Sequence, residues 1–206
     1  MEGSGRLLGE LREAITDERV LTAVAEVPRH AFVPRAERDR AYENCALPIA
    51  CQQTISQPLV VARMLELLEL GAGDRVLDIG TGSGYHAALL ARLAGSVYTV
   101  ERHPQLAEQA RQTLRELGVR NVALYVGDGS AGLAREAPFD AINVAAATDG
   151  VVLRRLERQL GPEGRLVAPL GGEKQRLARV RRVGPGLHRD LLEPVKFVPL
   201  LPGVAQ

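Results

Sequence analysis

Val76-Leu77-Asp78-Ile79-Gly80-Thr81-Gly82-Ser83-Gly84-Tyr85 is the stretch on which the fold of this chain turns. Mostly aliphatic residues run into a glycine-rich turn. Behind it His86, Leu89, Leu90 and Leu93 fall at i, i+3, i+4 and i+7, the spacing of one helical face. The stretch therefore reads as strand, tight turn, helix. Gly80, Gly82 and Gly84 lack a Cβ, so the backbone can take positive φ there and a ligand can come close to its N–H groups. The N-terminus of the following helix adds a positive dipole end. A nucleotide-like ligand is the first expectation.

The residues beside the turn discriminate between ligands. A dinucleotide fingerprint places its third small residue three positions after the second, and here that position is Tyr85. Nicotinamide chemistry is disfavoured. The pattern G-x-G-x-G, with Asp78 two residues ahead, resembles motif I of the S-adenosylmethionine-dependent methyltransferases. That resemblance makes S-adenosyl-L-methionine the expected cofactor, with Asp78, Gly80, Thr81, Gly82, Ser83 and Gly84 in its binding site.

Working outward, strands and helices alternate. Upstream, two short amphipathic helices between Leu7 and Val27, the second capped by Thr16 or Asp17, lead to a proline-bounded connection at 28–34. An aperiodic segment then runs to Pro58, which opens a helix with Val61, Met64, Leu65 and Leu68 on one side. Downstream come a strand at 96–101, a helix at 104–117, a strand at 121–126, a strand at 139–145 and a helix capped by Thr148 or Asp149. A turn at 161–164, a strand at 165–170 and two last strands at 177–183 and 191–200 complete the chain. The pattern predicts an α/β fold, a mostly parallel sheet with a late antiparallel element. One domain over 1–206 is expected, with 1–57 as a helical arm and substrate loop and 58–206 as the cofactor-binding core.

Composition bounds the function. The chain has 206 residues, 46% hydrophobic and 25% charged, with a net charge of +1, which points neither to disorder nor to a polyanionic partner. The arginine cluster at 176, 179, 181, 182 and 189 reads as a solvated strand face, and 3% aromatic content offers few stacking platforms for nucleic acid. Neither nucleic acid nor membrane is an expected partner. Glycines and acids interrupt the opening residues where a signal peptide needs an apolar run, so a cytoplasmic protein is expected. Cys45 and Cys51 are expected to be free thiols, and no metal cluster is expected from them and four scattered histidines.

Two further acids belong with the turn. Glu101 ends the second core strand about twenty residues on, where a carboxylate can accept both ribose hydroxyls. Asp128, between Gly127 and Gly129, can accept from an adenine amino group. Taken together, VPRHAFVP, AYEN with ALPI, QTISQP, VLDIGTGSGY, VYTVER, GDG, FDAINVAAA, GPEGRLVAPLG and VKFVPL resemble the protein-L-isoaspartate (D-aspartate) O-methyltransferases over nearly the whole chain.

That resemblance implies a Rossmann-like methyltransferase sheet of about seven strands with helices on both faces and a variant C-terminal strand order. It implies Ser56 as the active-site serine, Thr54 and Ile55 in the substrate loop, and Asp128 with Gly129 at the adenine. The implied partner is a damaged protein or peptide containing isoaspartyl residues, and the implied oligomeric state is a monomer. Ser56 has a second reading, as cap of the helix that starts at Pro58. The chain also departs from the pattern. Ala50-Cys51-Gln52 stands where glycines are usual, which is expected to remove access to positive φ and add bulk beside the substrate, and Thr148-Asp149-Gly150 replaces a proline-containing stretch. Two alternatives follow, a methyltransferase of the same descent acting on another peptide carboxylate, and a non-catalytic module binding S-adenosylmethionine and RNA.

Overall fold

The computed structural model describes residues 2–205. Two helices lead, α1 (Glu2–Arg12) and α2 (Glu18–Glu26). Asp17 caps the second, accepting the Arg19 amide at 2.9 Å, one of the amides that a first helical turn leaves unpaired. After 3-10 turns at Arg29–Phe32 and Arg35–Arg40, the aperiodic segment folds as a small hairpin of β1 (Leu47–Pro48) and β2 (Thr54–Ile55). Helix α3 (Pro58–Leu68) follows, with proline in its first turn.

The core then alternates: β3 (Arg75–Ile79), α4 (Tyr85–Leu93), β4 (Ser96–Glu101), α5 (Pro104–Glu116), β5 (Val122–Val126), β6 (Phe139–Val144), α6 (Gly150–Glu157), β7 (Leu160–Leu170), β8 (Gln175–Val183) and β9 (Gly186–Val195). They form a seven-stranded sheet in the order β5-β4-β3-β6-β7-β8-β9. Pairings from β5 through β7 are parallel, and β8 and β9 are antiparallel additions. This is the expected fold class. Alternate residues of β3 enter opposite layers: Val76 joins the cluster built with α1 to α4, while Leu77 and Ile79 join the one that includes Leu153 and Leu156 of α6. Strand pleating thus gives each face its own core. The chain winds outward from β3 in one direction and from β6 in the other, so the switch point, where open α/β sheets bind ligands, lies between those strands.

Two element boundaries differ from the sequence expectation. Residues 161–164 are not a turn before β7 but a bulge within it: Phe139 pairs with Leu160 and Ala141 already with Arg165, and Glu163 takes φ 56°. The extra residues leave the ladder without ending it. The last strand is not 191–200. It starts at Gly186, directly after the Gly184-Pro185 turn, and ends at Val195. The chain then leaves the sheet edge and crosses to the carboxyl end of β6, where Ala147 N donates to Val198 O and Leu200 N to Ala147 O, both at 2.8 Å.

The arginine cluster is largely paired. Arg189 makes two bonds to Glu157 at 2.6 and 2.7 Å, Arg179 meets Asp190 at 3.3 Å, and Arg176 donates to Leu192 O at 2.6 Å. Both cysteines are free.

Candidate active site

The glycine loop takes the backbone its sequence calls for: Gly80, Gly82 and Gly84 have φ of 90°, 52° and 91°. Gly80 N donates to Val100 O at 2.9 Å and Gly84 N to Thr81 O at 2.8 Å, folding the loop back on the end of β4. There Glu101 grips it. Its Oε2 accepts the Gly82 amide at 2.8 Å and its Oε1 the His103 amide at 2.9 Å, so the carboxylate is fixed at the rim with lone pairs to spare.

Beneath the loop lies a buried polar ladder. Asp78 has Thr99 and Asn143 as its register partners in β4 and β6, and it accepts from Thr99 Oγ1 and Asn143 Nδ2, both at 2.8 Å. Thr99 Oγ1 in turn meets Thr81 Oγ1 at 2.6 Å. Burial pushes the Asp78 carboxyl up to about 6, against the pull of the two donors. Among the described residues the Asp78 side chain therefore reaches the loop through Thr99.

Loop, rim and hairpin enclose a cavity of about 300 Å³. Thr54, Ile55 and Ser56 line it together with Gly80, Thr81, Gly82, Ser83, Glu101 and Gly129. Three other expected residues do not line it. Asp78 faces the sheet. Gly84 packs toward α5, where a Cβ would stand 3.2 Å from that of Ala110. Asp128 turns its carboxylate to the Ser130 amide at 2.8 Å, leaving Gly129 to face the cavity over Ile79, whose Cγ2 would be 2.6 Å from any added Cβ.

Ser56 is held from behind. Gln57, not Ser56, is the N-cap of α3 and makes no side-chain cap bond; Asn44 Oδ1 accepts the Leu59 amide at 3.1 Å instead. Among the described residues the Ser56 hydroxyl makes no hydrogen bond, so capping does not occupy it. Its carbonyl accepts from Arg29 Nη2 at 2.8 Å, and Arg29 Nε donates to Ala41 O at 2.9 Å. This guanidinium is fully buried, 4.9 Å from the Tyr85 ring centroid. Burial lowers its pKa, and the neighbouring Tyr85 opposes that shift.

The arrangement, a strand-end carboxylate beside a glycine loop and an unengaged serine across the same cavity, places cofactor-type and substrate-type residues face to face. A family model of the protein-L-isoaspartate(D-aspartate) O-methyltransferases matches residues 4–205. The chain belongs to that family. A protein-L-isoaspartate O-methyltransferase of Roseiflexus castenholzii is 52% identical over 196 residues, covering 95% of this chain and 89% of the relative. One from Parvibaculum lavamentivorans is 46% identical over 205 residues, covering 97% and 91%. A solved protein-L-isoaspartate O-methyltransferase superposes with a TM-score of 0.86 at 28% identity, and the match spans 95% of this chain and 65% of that one.

Within this member of the family the loop takes a conformation that its composition was expected to forbid. Cys51 and Gln52 both sit at φ 57°, in the left-handed region that costs a non-glycine residue about 1–2 kcal/mol. The hairpin over-determines them: Ile49 N donates to Gln53 O at 2.9 Å and Gln53 N to Ala50 O at 3.2 Å. Of Ala50 and Gln52, the two residues that stand where glycine is usual, Ala50 has no positive φ and Gln52 takes one at the cost of strain.

Several lining residues escaped the sequence reading. Val198, Pro199, Leu200 and Leu201 close one wall and Arg102 and His103 another. Their signal was weak, because nothing in a C-terminal apolar run says that it leaves the sheet. Among the described residues no group of three or more potential metal ligands occurs, and no helix is long and apolar enough to cross a membrane.

Proposed function

We propose that this chain transfers a methyl group from S-adenosyl-L-methionine to the free α-carboxylate of isoaspartyl or D-aspartyl residues in damaged proteins, opening their repair. The observation that carries this is the shared cavity, with the unengaged Ser56 hydroxyl opposite the Gly80 to Ser83 loop and Glu101.

The residues present fit the cofactor. Ile79, Val100, Ala145 and Ala146 offer apolar surface for a flat base. Glu101, fixed by two backbone amides, can accept ribose hydroxyls. The glycine loop is open to a charged amino-acid end, and Gly129 leaves room where a side chain would not fit. In this reading Gly80, Thr81, Gly82, Ser83, Glu101 and Gly129 hold the cofactor directly, while Asp78, Gly84 and Asp128 shape the backbone that does so. When bound, the cofactor supplies an electrophilic sulfonium methyl.

The protein then needs no strong base. An isoaspartyl α-carboxyl has an ordinary pKa near ~3.5 and is ionised at neutral pH, so what the site supplies is orientation and exclusion of water. Ser56 Oγ donates to the carboxylate and aims one oxygen at the methyl. Thr54 and Ile55 carry the substrate backbone. The ester formed loses methanol when the next backbone amide nitrogen attacks its carbonyl, and hydrolysis of the resulting succinimide returns some normal aspartyl linkage. The arm and the core act as one catalytic unit, a cytoplasmic monomer.

The test is methyl transfer from labelled S-adenosylmethionine to a peptide pair differing only in an isoaspartyl or normal aspartyl linkage, with wild type and Ser56→Ala. Base-labile label on the isoaspartyl peptide alone, reduced in the variant, is the expected result. The left-handed Cys51-Gln52 pair supports one second reading, a different peptide carboxylate as substrate. Cofactor binding without labelling of either peptide would favour it.

A further inference from the structure

His86 stands in the first turn of α4 and lines the same cavity as Thr54, Ile55 and Ser56. It is 6% exposed, and its Nε2 is buried without a hydrogen-bond partner among the described residues. Buried polar atoms in folded proteins are nearly always paired, and Nε2 is shut off even from the cavity, so only the small exposed part of the residue can meet what the cavity takes up. Burial, reinforced by the charge of Arg29, drives the imidazole pKa down to about 4. The ring is therefore neutral at pH 7, with one N–H to donate.

Neutrality suits the chemistry. During methyl transfer the carboxylate loses its charge, so a cationic partner would stabilise the ground state more than the transition state and slow the reaction. Arg29, the charged group acting on His86, does not line the cavity; its Nε and Nη2 go to the carbonyls of Ala41 and Ser56, and its Nη1 is buried without a partner among the described residues. Neutral donors orient the nucleophile with a smaller penalty. We propose that His86 is a substrate-binding residue whose Nδ1–H donates to the isoaspartyl α-carboxylate beside Ser56 Oγ, so that two neutral donors orient the nucleophile. This rests on the function proposed above.

The experiment compares wild type, His86→Leu and His86→Gln at saturating S-adenosylmethionine with an isoaspartyl peptide, and measures cofactor Kd by calorimetry. Loss of the donor in His86→Leu is expected to raise peptide KM about tenfold with cofactor Kd unchanged within about twofold. His86→Gln keeps an N–H donor and is expected to stay within about threefold of wild-type KM. Equal effects of the two substitutions, an unchanged KM in His86→Leu, or an effect on cofactor Kd instead would each overturn the proposal. Should His86→Leu not fold, the ring nitrogens of wild type labelled with ¹⁵N-histidine provide the second readout. The His86 signal should shift when isoaspartyl peptide is added to enzyme saturated with S-adenosylhomocysteine, and an unmoved signal overturns the proposal. Wild-type methylation of the peptide separates the two levels: without it the functional reading fails and takes this proposal with it, whereas with it a silent His86 condemns this proposal alone.

Discussion

Arg29 Nη2 donates to the carbonyl oxygen of Ser56 at 2.8 Å from a guanidinium with no solvent exposure. The bond joins residues 27 positions apart and sets the backbone of the serine from a side chain that does not line the cavity. Its strength comes from burial, since a charged donor in a dry setting has no water to compete with it.

Arg29→Met should therefore loosen the hairpin without touching the cavity. Leaving the carbonyls of Ala41 and Ser56 unpaired costs about 2–4 kcal/mol, which for a chain of this size lowers Tm by roughly 4–16 °C. Arg29→Lys should rescue little, because an ammonium cannot span both carbonyls as the planar fork does. Calorimetry together with peptide KM would show the effect, and a wild-type Tm in Arg29→Met would refute the anchoring role.

Gln52 is held at φ 57°. Gln52→Gly relieves left-handed strain but adds freedom to the unfolded chain, so stability should change by less than about 1 kcal/mol. Gln52→Val puts a β-branched residue in the same conformation and should lower Tm and raise peptide KM while cofactor Kd stays put. Thermal melts and steady-state kinetics on the pair would decide; identical behaviour of the two variants would show that the conformation is not maintained in solution.

Glu101 makes both its amide bonds to the loop and rim. Glu101→Gln turns one acceptor into an N–H facing an N–H. Hydrogen bonds to charged groups contribute about 1.5–3 kcal/mol, so cofactor Kd should rise roughly 10- to 150-fold. Titration calorimetry measures this, and a change below threefold would remove Glu101 from the binding site.

Asp78 and His86 pull the pH dependence of stability in opposite directions. The Asp78 carboxyl is raised to about 6 from 3.8, so its contribution is complete below pH 3.8 and is lost as pH rises through 6. The span corresponds to about 3 kcal/mol. The His86 imidazole is lowered to about 4 from 6.5, so its contribution is complete above pH 6.5 and is lost as pH falls through 4. Asp78→Asn should therefore gain stability relative to wild type as pH rises from 4 to 8, and His86→Gln should gain as pH falls from 7 to 4. Chemical denaturation across that range tests both signs, and parallel wild-type and variant curves would mean that neither group is buried as described.

By itself the sequence determined what local physics decides. The aliphatic run before Gly80, the glycines that take φ of 90°, 52° and 91°, the Asp17 and Asp149 caps and the alternation of strand and helix all depend on residues within a few positions of one another. The stretch at 76–85 and the strand end at Glu101 placed Gly80, Thr81, Gly82, Ser83 and Glu101 at one cavity, because the carboxyl ends of neighbouring parallel strands share one rim. Asp78 does not line the cavity, for a reason the sequence held in part. β3, β4 and β6 each bury a polar residue, and only their register makes Asp78, Thr99 and Asn143 partners that turn inward. What the tertiary structure alone decided lies between distant segments: Arg29 behind Ser56, the tail at 198–201 closing the cavity wall, Gly84 packed on Ala110, and Cys51 and Gln52 forced left-handed by the hairpin that contains them. Contacts of that kind are chosen by the packing of whole elements, whose combined burial outweighs the preference of any single residue.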